Sequence, residues 1–236
     1  MRRLLYIPII HDQADLGSEG AALSQGSVVL AGQRRWTSHQ ELVARFWDSL
    51  ASYLGELEPG RVKVYQDGLA AGGQMGRRVV EEAARRGSKN YQLVLELLDK
   101  GAEIRKTEDP GLLLQEQQNI QESVARKSEW EERHSAEQYR LRTGRLMAAR
   151  DRFIAGSINT TLREGEVGVL FIGAGHNVAP HLSSDIQVET VRDRKKVQAY
   201  LEELFLGQDD RKLEELRRYL SSPPSAPALP DAQATE

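Results

Sequence analysis

Runs of apolar residues and stretches of alternating or helically spaced ones divide this chain into elements. The run Leu4-Leu5-Tyr6-Ile7-Pro8-Ile9-Ile10 predicts a first strand that stops at His11, and Val167 to Ile172 is the clearest strand in the chain. Arg61 to Asp67 alternates at the period of two that a strand shows and stops at Gly68. Ala102 to Thr107 reads as a third strand leading into Glu108-Asp109-Pro110, Ile186 to Val191 as another, and Ser27 to Leu30 as a short one. Ser38 with Glu41 forms a capping box, which predicts a helix carrying Leu42, Val43, Phe46, Leu50 and Leu54 on one side and ended by Pro59-Gly60. Further helices are predicted over Met75 to Arg86, with Gly87 beyond its end, and over Asn90 to Lys100, with Leu93, Leu97 and Leu98 facing inward and Gly101 as the stop. Asp193 to Leu206 and Asp209 to Leu220 read as terminal helices.

From Gly111 to about Glu164 the pattern predicts two long helices or one interrupted one. Its middle, Ser123 to Tyr139, is polar on every side apart from Val124 and Trp130, so that part either stands in solvent or lies over a site as a lid. Phe153, Ile154, Ile158 and Leu162 then restore a helical apolar face before Gly165. The expected architecture is a single α/β domain over 1–220, with a central mixed sheet flanked by helices. A helical hairpin at 110–149 is inserted before the C-terminal strands. The polar stretch from Asp12 to Gly26 reads as a long loop, and 221–236, rich in Pro, Ala and Ser, as a disordered tail.

Composition narrows the chemistry more than the fold. With 236 residues, 39% hydrophobic and 28% charged, the chain can bury a real core. A formal net charge of −3 gives no reason to expect nucleic acid as a partner. The absence of Cys excludes disulfides, thiolate metal sites and a cysteine nucleophile. Metal binding is left to imidazole and carboxylate, which suit Zn, Mn, Fe or Co. The basic start and apolar run have the look of a signal peptide. The run is short, contains Pro8 and ends in His11-Asp12 rather than at small residues, so it reads as the first strand. No stretch reaches membrane-spanning length, and the cytoplasm is the expected compartment.

Two histidines close predicted strands near opposite ends of the chain, His11 after Ile10 and His176 after Gly173-Ala174-Gly175. Ligands of open α/β sheets bind outside the carboxyl ends of the strands, so the fold can bring both imidazoles into one pocket. The Gly173-Ala174-Gly175 sequence also begins like a dinucleotide fingerprint. Val178 stands where the third glycine belongs, and the next strand follows too soon for a helical crossover, so that reading is discarded. No serine lies in a Gly-x-Ser-x-Gly turn, since Gly156-Ser157 falls inside a predicted helix. His39 and His134 read as solvated helical residues, and His181, beside Pro180, as a loop residue within reach of the same pocket.

Arg150-Asp151, the helix after it, a glycine break and the strand into Gly173-x-x-His176 together resemble the C-terminal signature of the TraB/Tiki/erythromycin-esterase-like superfamily. In that superfamily a first Gly-x-x-His or Glu-x-x-His motif ends the opening strand. Pro8-Ile9-Ile10-His11 holds the matching place here, with Pro8 in place of the glycine. The resemblance implies an α/β fold whose site is built from both ends of the sequence. Members include metal-dependent peptidases and esterases, and a related branch binds haem. It also implies an acidic residue at the end of the second main strand. Asp67 stands there, a shorter carboxylate than the usual glutamate.

On that reading His11, His176 and Asp67 hold a divalent metal (Mn, Co, Zn or Fe) with a position left open for water, whose pKa falls towards ~7. Without a metal, one histidine serves as general base. Asp67 is the preferred third ligand or proton acceptor, with Glu108 at the next strand end as the alternative, and Arg150 is a candidate for binding a substrate anion or stabilising developing negative charge. Each has a plainer role open to it: Asp67 as a turn residue before Gly68, Arg150 as a partner for a carboxylate on its own helix, and Glu108-Asp109-Pro110 as a helix start. Asp12 is either an orienter of His11 or a solvated loop residue. The expected activity is hydrolysis of an amide (peptide) or ester in a small-molecule or peptide substrate. The alternative is a non-catalytic ligand-binding or regulatory module using the same crevice, and the helical arm offers a face for a protein partner or a homo-oligomer.

Overall fold

The computed structural model describes residues 1–11, 28–58, 60–125 and 129–224, and the side chains of all of these except 120 and 122–140. The strands are β1 (Arg2–Ile9), β2 (Val62–Gln66), β3 (Glu103–Arg105), β4 (Val167–Gly173) and β5 (Ile186–Thr190). The helices are α1 (Gln33–Leu54), α2 (Gly73–Arg85), α3 (Lys89–Asp99), α4 (Pro110–Ala125), α5 (Glu129–Thr161), α6 (Arg194–Phe205) and α7 (Asp210–Ser221).

The strands form one sheet in the order β3-β2-β4-β1-β5. Every neighbouring pair runs parallel, with β4 in register against both β1 (Ile9 opposite Gly173) and β2 (Gln66 opposite Phe171). The α/β class is as expected, and the mixed character is not. Each crossover from β1 to β4 carries at least one helix, and the short β4–β5 link still returns to the amino-terminal edge through the turn Ala179–His181. Among the described residues no hairpin joins two strands.

Parallel strands buried on both faces read as continuous apolar runs, and β1 and β4 do so. Leu5, Ile7 and Ile9 of β1, with Val169 and Phe171 of β4, join the larger core formed with α1, α2, α3, α6 and α7. The intervening residues Leu4, Tyr6, Leu170 and Ile172 face a smaller core made with Ile154, Ala155 and Ile158 of α5 and with Leu162 just after it. Burial of one such side chain contributes about 1.5–3 kcal/mol, so the two cores fix the strand register firmly.

Several boundaries differ from the sequence expectation. Val28–Leu30, expected within a short strand, instead form a helical turn with Ala31, and Gly32 at φ +80° links it to α1. Ser38 therefore stands inside α1 rather than capping it, because Trp36 packs against the His39 ring (4.9 Å) and Phe205 (6.5 Å) and carries the helix back to Gln33. The same shift puts His39 on the buried face, where its Nδ1 lies 2.9 Å from the Tyr200 hydroxyl; it is not solvated. The span after Pro110 is two helices, α4 and α5, packed on one another. The loop from Asp12 to Gly26, the side chain of His134 and residues 225–236 lie outside what is described. No helix among the described residues is long and apolar enough to cross a membrane.

Candidate active site

An all-parallel sheet delivers every strand's carboxyl end to one edge. His11 follows β1, Asp67 follows β2, Glu108 follows β3 and His176 follows β4, so four segments far apart in sequence converge there. His11, Asp67 and His176 line a cleft of about 500 Å³ together with Glu116, Met147 and Arg150.

Local chain geometry explains how each side chain is aimed. Asp67 leaves β2 just before Gly68, which turns the chain at φ +76°, a region that suits glycine. The Asp67 carboxylate then bends back, and its Oδ2 accepts the Gly173 N–H at 2.9 Å. A Cβ on Gly173 would lie 3.1 Å from Asp67 Oδ2, 3.6 Å from His11 Nε2 and 3.7 Å from His176 Cδ2. The glycine of the Gly-x-x-His element is thus the point around which both imidazoles and the carboxylate gather, and a side chain there would fill the cleft floor. His176 itself is turned in by its N–H bond to the Gly173 carbonyl at 3.0 Å. Its own carbonyl accepts from Arg194 Nη1 (2.9 Å) and the Tyr6 hydroxyl (3.3 Å), and burial pushes that phenol up to about 12.

The α5 helix supplies the other half of the site. At 3.6 residues per turn, Met147, Arg150, Asp151, Ile154, Ala155 and Ile158 share one face. Where this stripe lies over the sheet it is apolar, and where it passes the carboxyl edge it is charged. The Arg150-Asp151 pair lies well inside α5 rather than at its start. Asp151 Oδ1 sits 2.6 Å from His176 Nδ1, and its Oδ2 accepts the Asn177 N–H at 3.0 Å. That clamp fixes the ring and leaves Nε2 facing the cleft, 3.8 Å from Asp67 Oδ1.

Arg150, only 5% exposed, gathers three carboxylates from other elements. Its Nε contacts both oxygens of Glu108 at 3.2 Å, and its Nη2 donates to Glu108 (2.7 Å) and Asp67 (2.9 Å). Its Nη1 donates to Glu116 of α4 at 2.5 Å. It pairs across the site and not along its own helix. Burial opposes its charge, yet these acidic partners raise its pKa above the ordinary value. Glu108 is fully buried, which raises its carboxyl, while the Arg150 N–H groups work in the other direction. Asp67 goes the opposite way. Burial would raise it, but His176, His11, Arg150 and the Gly173 N–H outweigh that and hold it below the ordinary value.

The turn after β3 divides its acidic residues between two tasks. Asp109 caps α4, accepting from the Gly111 and Leu112 N–H groups at 2.8 and 3.2 Å, with Pro110 as the first helical residue. Glu108 turns inward to Arg150. Single donor atoms of Asp67, Glu108 and His176 lie within 4.8 Å of one another, a set that could hold a metal ion. His11 stands exposed at the mouth of the same cleft. His181 is exposed in the Ala179–His181 turn, where its carbonyl accepts from Asn159.

Asp151 and Glu116 were not singled out for roles by sequence reasoning. The helical stripe through Ile154 and Ile158 points to Asp151, since it continues back to the Arg150-Asp151 pair. For Glu116 the sequence holds no signal, because its place depends on how α4 packs on α5. Compared with protein-family models, curated proteins and solved structures, the chain matches none.

Proposed function

We propose that this cleft is a divalent-metal-dependent hydrolytic centre for an amide or ester, with Asp67 and His176 as the core of the ligand set. His11 stands at the mouth as a further ligand. The observation that carries the reading is the Asp151–His176–Asp67 line: Nδ1 is tied to one carboxylate at 2.6 Å while Nε2 faces another at 3.8 Å. That second spacing is too long for a hydrogen bond and suits two ligands that each reach an ion ~2.0–2.2 Å away. A carboxylate behind a ligating imidazole sets its tautomer and raises its basicity.

Charge supports the same conclusion. One guanidinium faces Asp67, Glu108 and Glu116, so the cluster keeps an excess of negative charge for a cation to balance. When bound, the ion would act as a Lewis acid that polarises a carbonyl and makes a nearby water more acidic. The chain's own residues would do the rest. Asp67, held ionised, would offer its carboxylate to the ion. Asp151 keeps His176 Nε2 presented to it. Arg150 fixes the carboxylates in place, and with its donors turned to Glu108, Asp67 and Glu116 it acts as a positioning residue. The Arg150-Asp151 and Gly173-x-x-His176 pattern, with its resemblance to TraB/Tiki/erythromycin-esterase-like proteins, favours the same chemistry.

The test is to strip the untagged protein with chelator, add back Mn, Co, Zn or Fe, and measure bound metal together with hydrolysis of peptide amides and activated esters. About one metal per chain, with turnover lost in both His11→Ala and His176→Ala, is the expected result. No bound metal, together with no change in any hydrolytic rate in either variant, would overturn the proposal.

A further inference from the structure

Two residues of the same cleft take no part in the charged cluster. Asn90 is fully buried and lines the cleft, and neither its Oδ1 nor its Nδ2 has a hydrogen-bond partner among the described residues. Gln66, 1% exposed, lines it too, and its Oε1 is likewise without a partner among them. Its Nε2 makes only a long contact, 3.5 Å, to the Asp67 carbonyl. Buried polar atoms are nearly always paired, and each orphan costs free energy. Three orphan atoms on two residues that line one cleft are therefore unusual.

Local structure gives Asn90 no other duty. At the start of a helix an Asn ordinarily caps, but Ser88 caps α3, its side chain accepting the Tyr91 N–H at 3.1 Å. Asn90 is in the first turn behind that cap, with its amide left over. Gln66 is the last residue of β2, immediately before Asp67, so the cleft places one orphan amide next to the proposed chemistry.

We infer that Asn90 and Gln66 form a subsite for a neutral carboxamide, so that the cleft takes peptide-like amides in preference to esters. The unmatched atoms are two acceptors and one amide donor. A secondary amide supplies one N–H for one of the two acceptors and a C=O for the donor, whereas an ester supplies acceptors only and leaves both Asn90 Oδ1 and Gln66 Oε1 bare. Sites built to hydrogen-bond an N–H discriminate strongly against the analogue that lacks it. Leu113, Met147 and Tyr91, also on the cleft wall, offer apolar and aromatic surface for the group beside the amide. The inference rests on the proposed function for what happens to the bound amide, and not for the binding itself.

The experiment compares N-methylhexanamide, methyl hexanoate and hexanol as probes, by saturation-transfer NMR on wild type, Asn90→Leu, Gln66→Met and His176→Ala. The amide is expected to bind the wild type roughly tenfold more tightly than the ester or the alcohol. His176→Ala should keep that preference, whereas Asn90→Leu and Gln66→Met should reduce it. Because Asn90→Leu removes two unmatched polar atoms, it should also raise Tm by about 2–4 °C while losing the probe.

Equal binding of amide and ester, or equal binding of the alcohol, would overturn the inference. So would a preference that survives both substitutions, or a fall in Tm for Asn90→Leu, which would mean that a trapped water pairs the amide. Failure of the hydrolytic reading looks different: metal and turnover are absent while the amide preference stands.

Discussion

Two histidines of this protein are equally buried and live in opposite surroundings. His39 of α1 is 4% exposed and His176, after β4, is 3% exposed. His39 has a neutral hydroxyl for its partner, Tyr200, with Trp36 beside the ring and Arg217 as the charge that acts on it. Burial, helped by Arg217, pushes its pKa down to about 4, so it is a neutral core residue. His176 lies between Asp151 and Asp67, with Arg150 and Glu108 just beyond. Burial alone does not make a site. What separates the two is that β1, β2, β3 and β4 all end beside His176, β2 and β3 bringing carboxylates to it, while α1, α6 and α7 give His39 aromatic rings, one hydroxyl and a like-signed charge from Arg217.

The largest effect should come from removing the guanidinium that balances the cleft. Arg150→Met leaves Glu108 buried without its counter-charge and Asp67 with one partner fewer, and breaking such a buried pair costs about 3–5 kcal/mol. Urea unfolding measures it. A loss below about 1 kcal/mol would mean that the cleft carboxylates are not held as a charged cluster.

The next effect belongs to His39 and appears as pH dependence. Its folded pKa lies below the unfolded value of 6.5, so the unfolded chain takes up a proton first as pH falls. The contribution is fully present above pH 6.5 and is lost as pH falls towards about 4, amounting to about 3 kcal/mol at ~1.4 kcal/mol per unit. His39→Gln should flatten that part of the wild-type stability curve. Curves of equal slope between pH 6.5 and 4 would show that His39 is not desolvated.

Asp151→Asn sharpens the other side of the comparison. The amide keeps the shape but removes the charge behind His176, and metal affinity should fall about 10–100-fold, with the fold kept, as read by competition with a chelating dye. Unchanged affinity would separate Asp151 from any metal role. The smallest effect is Tyr200→Phe, which leaves His39 Nδ1 without its partner and should cost about 1–2 kcal/mol at neutral pH with no change in metal binding.

The sequence made the strands legible because β1 and β4 are apolar on both faces, and it made the cleft's histidines legible because each follows such a run. Asp67 and Glu108 were readable as charges placed where predicted strands stop. The parallel direction of every strand was not readable, since an apolar run carries no sign of direction. Nor was the start of α1: Ser38 and Glu41 make a valid capping box, but packing of Trp36 against Phe205 overrides a local preference worth about 1 kcal/mol. His39 was misplaced by the same error. Glu116, Asn90 and the pairing of Arg150 across the cleft depend on how helices pack, and no local pattern encodes that.

The central claim is that His176 and Asp67 share a divalent metal ion. Co²⁺ titrated into chelator-treated protein, followed by its visible d–d absorption, tests this most directly. The account predicts a saturable band for the wild type and for His39→Gln, and its loss in both His176→Ala and Asp67→Ala. A band that survives those two substitutions, or no band in the wild type, would contradict it.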